Sequence, residues 1–235
     1  MVPINQTVPE PDRSLIHPPP PMTEAEWSQN DNSEMMLEFV RTKATKRKLR
    51  LFAAACFRRF ARLLPDSRQQ MAIEMLENAA EEIELDRRIV YGVRQALPSS
   101  DDSFGGKCIG MDDPYIVALM LYRELVSSST AHHATFAARG LADYVGERRE
   151  QSRLIRCIFG PLPFRTISLA PALRTATVVS LAQTIYNDNA FERLPILADA
   201  LEATGCGDAD ILDHCRQPKS HVRGCWAVDL ILGNA

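Results

Sequence analysis

The chain has 235 residues and a formal net charge of −3, with 46% hydrophobic and 24% charged residues. That balance is too apolar for a fully disordered chain, and the charge is too small to make the whole surface a nucleic-acid binder. No apolar run reaches transmembrane length, so no membrane span is expected.

Seven of the fifteen prolines lie in residues 1–21 (MVPINQTVPEPDRSLIHPPPP). Proline removes a backbone donor and fixes φ, so this stretch reads as a disordered proline-rich tail. Its other reading is a docking peptide for an aromatic groove.

Regular structure is expected from Met22. Thr23 followed by Glu26 is a capping box, with Trp27 behind it. Ser33 is the expected cap of a second short helix bearing Met36, Leu37 and Val40, and Thr45 that of a third. In the third, Leu49, Phe52, Ala53, Cys56, Phe57, Phe60 and Leu64 recur at helical spacing until Pro65 stops the pattern. A fourth helix begins near Asp66 or Ser67, breaks near Asp86 and resumes to Pro98. Residues 98–113 are rich in Ser, Asp and Gly and read as a loop. Helices are expected from Pro114, after SSST, and from about Glu147 to Phe159.

Residues 160–175 contain three prolines and predict an ordered crossing. Four short helices follow, at about 176–188, 194–204, 208–216 and 222–232. Pro195 suits a first turn and Gly205 a helix end. No segment alternates with period two. The expected fold is all-α: an irregular multi-helix bundle with a smaller C-terminal four-helix portion. The expected divisions are the tail 1–21, an N-terminal portion 22–159, and a C-terminal portion 160–235.

Two segments carry a resemblance: MTEAEW…MLEFVRTKATKRKLRLFAAACFRRF (22–60) and TVVSLAQTIYNDNAFERLPILADALEATGCGDADILDHCRQPKSHVRGCWAVDLILG (177–233). Both resemble a large family of paralogous planctomycete bacterial proteins. The resemblance covers under half of the chain and implies no activity. Members of that family open at the equivalent of Met22, so residues 1–21 read as an extension or a misassigned start.

Three clusters could carry chemistry. Residues 41–62 hold nine Lys or Arg and no acid. Lys43, Arg47, Arg50 and Arg58, facing solvent together, could neutralise phosphates of a nucleic acid. Residues 66–86 hold seven acids, including Glu77, Glu81 and Glu84, and an antiparallel hairpin would pair the two charges instead.

The second cluster is Cys206, His214, Cys215, His221 and Cys225, five of the eleven Cys and His residues within twenty positions. Cys206, His214 or Cys215, His221 and Cys225 make a chemically sound tetrahedral zinc set, although no CxxC is present. On the expected helix 222–232, His221 and Cys225 would share a face. Cysteine also packs as a small hydrophobe, which is the plainer reading.

The third possibility is catalytic: His221, Cys225 and Asp229 form an i, i+4, i+8 row. Residues on one helix point in parallel and make a poor relay, so no catalytic residue is assigned. Buried Asp229 is expected to pair with an arginine such as Arg193 or Arg223. FGGKCIG lacks the phosphate-loop spacing, and SSSTAHH reads as a helix start.

The expected protein is a non-enzymatic helical scaffold or interaction module with another protein as partner. Six cysteines and no secretory leader pattern point to reduced thiols and a cytoplasmic location. Zinc binding by the C-terminal cluster and nucleic-acid binding by the basic helix are the alternatives.

Overall fold

Capping residues and apolar periodicity set where the helices run in the computed structural model. It describes residues 21–40, 43–61, 144–218 and 220–234, together with Ile73, Glu74, Glu77, Asn78, Ala80 and Glu81. The expected tail up to residue 20, the loop 98–113, FGGKCIG, SSSTAHH and the helices expected between residues 66 and 143 lie outside the described residues, apart from those six positions.

All the regular structure among the described residues is helical. The helices are α1 (Glu24–Gln29), α2 (Ser33–Val40), α3 (Lys46–Ala61), α4 (Tyr144–Phe159), α5 (Ala176–Asn187), α6 (Leu194–Ala203), α7 (Ala209–Arg216) and α8 (Trp226–Leu232). Short 3₁₀ turns lie at Pro171–Leu173 and Phe191–Arg193. None of the described helices is long and apolar enough to cross a membrane.

The capping box at α1 is present in full. Glu26 N–H donates to Thr23 Oγ1, and Thr23 N–H donates to Glu26 Oε2 at 2.8 Å. Thr45 Oγ1 accepts from Lys48 N–H at the start of α3. Thr175 and Asp208 cap α5 and α7 in the same way. At α2 the cap is displaced by one residue. Asn32 Oδ1 takes the Met35 N–H, and Ser33 lies inside the helix with its hydroxyl bonded to Gln151. The crossing 160–175 turns through residues 160–165, runs irregularly over 166–170 and then enters the first 3₁₀ turn.

Two apolar clusters form. One gathers Trp27, Leu37, Phe52, Phe57, Ile155 and Ile158. The other gathers Ile185, Leu197, Leu201, Ile211, Trp226 and Ile231. Helix α4 serves both: Ile155 and Ile158 enter the first, and Cys157 enters the second. It touches α2 and α3 on one side and α8 on the other. Gly160 ends α4 at φ +53°, where glycine carries no Cβ penalty. A Cβ there would lie 2.5 Å from Trp226 Cδ1, so the Trp226 ring rests on bare backbone.

Candidate metal centre

Three pieces of chain converge beside Gly160. Cys157 lies in the last turn of α4. His214 lies in the last turn of α7, which ends at an extended Gln217. His221 follows in the connecting segment, and Cys225 stands immediately before α8. Their donor atoms all lie within 4.8 Å of one another. His214 Nε2 is 3.2 Å from Cys225 Sγ, and Cys157 Sγ is 3.6 Å from His221 Nδ1. The two imidazoles meet edge to face at 85°.

Those separations can be compared with what zinc requires. Zn–S bonds of about 2.3 Å and Zn–N bonds of about 2.0–2.1 Å, arranged tetrahedrally, put neighbouring donors roughly 3.3–3.8 Å apart. The Cys157–His221 pair, at 3.6 Å, lies within that range, the His214–Cys225 pair, at 3.2 Å, lies just below it, and every donor pair is within 4.8 Å. His221 is also held in the tautomer a metal needs. Its Nε2 faces the Gln217 carbonyl at 3.2 Å, where an N–H donates, and this leaves the Nδ1 lone pair toward the cluster. Trp226 lies against His214 with ring centroids 5.1 Å apart and limits its rotation.

The electrostatics favour negative sulfur. Burial works against charge on Cys225, but hydrogen bonds from the Cys157 thiol and from His214 pull its thiol well below the ordinary value. Donating that bond holds Cys157 protonated, well above the ordinary thiol range, and burial adds to the effect. Lys48 stands nearby and adds positive charge to the field at both sulfurs. Its ammonium donates to the Ile158 carbonyl at 2.9 Å.

Of the five donors expected from sequence, His214, His221 and Cys225 come together. Cys206 and Cys215 stand outside the group and pack in the C-terminal apolar cluster. Consecutive helical residues point about 100° apart, so His214 and Cys215 cannot face one centre. Burial pushes the Cys215 thiol up and keeps it protonated. The fourth member is Cys157, 64 residues before His221. In sequence it looks like one more apolar position of an amphipathic helix, and no local motif marks it.

The last helix also differs from expectation. It starts at Trp226, not 222, so His221 and Cys225 do not share a helical face. A turn through Gly224, at φ +84°, brings them together, and Cys225 N–H donates to the Val222 carbonyl at 3.0 Å. The His221–Cys225–Asp229 row is broken as well. Asp229 turns to the opposite partners, Arg47 at 2.7 Å and Lys48 at 3.8 Å, and not to Arg193 or Arg223.

The basic helix is tied inward. Arg47 bonds both Asp229 and Glu81 and reaches the Tyr186 hydroxyl and the Asn234 carbonyl. Arg58 forms a two-point pair with Glu77 at 2.6 and 2.9 Å. Lys43 lies over the Phe39 ring and donates to the Pro163 carbonyl. Arg50 is half-buried and also engaged. Acidic partners thus take up Arg47 and Arg58, while Lys43 and Arg58 keep exposed surface.

A cleft of about 350 Å³ opens above the cluster, lined among others by Trp27, Arg156, Cys157, His214, His221 and Trp226. No family model, curated protein or solved structure matches the chain.

Proposed function

We propose that this chain is a zinc-binding helical scaffold in which Cys157, His214, His221 and Cys225 hold one structural zinc ion. The observation that carries the reading is the convergence of four donor atoms within 4.8 Å, from three separate pieces of chain. Two thiolates and two neutral imidazoles cancel the ion's charge, and a neutral centre can be buried without the cost of a bare ion. Four protein ligands leave no open coordination position, which favours a structural role over a hydrolytic one. The zinc would fasten the end of α4 to α7 and α8 and so join the two apolar clusters. A helical body fastened in this way suits a scaffold that presents its surface to another protein.

The test is metal stoichiometry. The full chain, purified reduced and without chelator, is expected to take up one zinc per molecule. Cobalt in its place should give the absorption bands of a tetrahedral thiolate site. Cys157→Ala should bring the zinc content close to zero. A wild-type chain that takes up no zinc at one equivalent overturns the reading, and so does a Cys157→Ala chain that binds it unchanged.

A further inference from the structure

The two sulfurs of the cluster differ in how solvent reaches them. Cys157 lines the cleft, whereas Cys225 lies beneath it with no exposed surface. All five described cysteines are buried, and among them Cys157 alone lines the cleft. A small oxidant entering there meets one cysteine first, and a second cysteine stands directly behind it within 4.8 Å.

We infer that Cys157 and Cys225 are a reversible oxidation site for a hydroperoxide, and that closing their disulfide expels the zinc. The expulsion rests on the zinc reading above, but the disulfide does not. In the first step Cys157 attacks the terminal peroxide oxygen as a thiolate, already deprotonated where zinc holds it and, in metal-free chain, once its proton has passed to His221 Nδ1 3.6 Å away. The S–O bond forms, the O–O bond breaks, and the leaving oxygen takes a proton to become water or an alcohol. In the second, the Cys225 thiolate attacks the sulfenic sulfur. The S–S bond forms, the S–O bond breaks, and hydroxide leaves as water after protonation. Two sulfurs have together given up two electrons, and the peroxide has received them.

The closed bond needs about 2.05 Å between sulfurs. Cys157 is fixed inside α4, so the movement falls on Cys225 and the turn at Gly224. A disulfide sulfur is no longer a thiolate ligand, and His214 and His221 alone make too few ligands for a structural zinc site.

The experiment uses the full chain, reduced and loaded with one equivalent of zinc, and treated with hydrogen peroxide. Released zinc is followed with a coloured chelator, and free thiols are alkylated before peptide mapping by mass spectrometry. The expected result is one zinc released per Cys157–Cys225 disulfide formed, both reversed by dithiothreitol and fresh zinc. Cys206→Ser should behave as wild type, and Cys225→Ser should stop at an oxidised Cys157 with no disulfide. A disulfide that uses Cys56, Cys108, Cys206 or Cys215 overturns the inference. Oxidation that runs to sulfinic acid at Cys157 in the wild-type chain also overturns it. The same treatment of metal-free chain separates the two readings. If the chain never binds zinc the scaffold reading fails, while the disulfide map still decides this one.

Discussion

Two polar clusters, one turn apart on the chain, tie the C-terminal helices to α3 and α4, and they do so by different chemistry. Around Asp229 the donors and acceptors balance within the protein. The carboxylate has no exposed surface, yet Arg47 contacts both of its oxygens and Lys48 stands 3.8 Å away. Burial raises the Asp229 carboxyl above its ordinary range, and the two cations oppose that rise. Burial works against charge on Arg47 as well, but its bonds to Asp229 and Glu81 outweigh this and hold the guanidinium charged. Around Cys225 the groups are of one kind: two sulfurs and two imidazoles offer lone pairs to the same point. A carboxylate among cations is complete as it stands. On our proposal, the four converging donors are completed by a metal.

The largest effect is expected from breaking the balanced cluster. Arg47→Met removes the main partner of a fully buried carboxylate, a loss that costs about 3–5 kcal/mol when one member of a buried pair is deleted. Chemical denaturation should give the same loss with and without zinc, and the zinc affinity should stay within about threefold of wild type. If the two clusters act as one network, Arg47→Met would weaken zinc binding by much more.

Gly160 tests the seam between them. Its carbonyl accepts the Trp27 indole N–H at 3.1 Å, and its Cα lies under Trp226. Alanine there adds a left-handed penalty of about 1 kcal/mol and overpacking of about 1–3 kcal/mol. Gly160→Ala is therefore expected to cost about 2–4 kcal/mol. Unlike Arg47→Met, it should also weaken zinc binding, because Trp226 buttresses His214. An isothermal zinc titration that shows wild-type affinity in Gly160→Ala would separate Trp226 from the cluster.

The contrast also explains what could be read from sequence. Local chemistry was legible: the Thr23–Glu26 box, the Thr45 cap and Pro195 in a first turn all appear in the fold. Three of the four converging donors were visible for the same reason, since His214, His221 and Cys225 lie close together in the chain. Long-range pairings were not legible. Arg47 and Asp229 are 182 residues apart, and Cys157 lies 64 before His221. Net charge and helical period suggest that a buried acid needs a cation, but many arginines qualify, and packing alone chooses Arg47. The start of α8 was misread because Val222 continues its apolar pattern, whereas Gly224 in a left-handed turn delays the helix to Trp226.

The smallest expected effect separates the donors that converge from those that only looked as though they should. Cys206 is 3% exposed and sits in the apolar cluster, where its sulfur serves as packing. Cys206→Ala removes about one heavy atom's worth of contact and should cost about 1 kcal/mol, in the range of a lost buried methyl group. Its zinc content should remain at one per chain. Cys157→Ala removes the same atom from an equally buried position, but it should lose the metal and the stability that ligand binding confers, about 2.7 kcal/mol with free zinc a hundredfold above Kd. Thermal melts of the two variants should therefore diverge when zinc is present and converge when a chelator removes it. Equal melting in both conditions would reduce Cys157 to packing as well, and the four converging donors to a coincidence of the core.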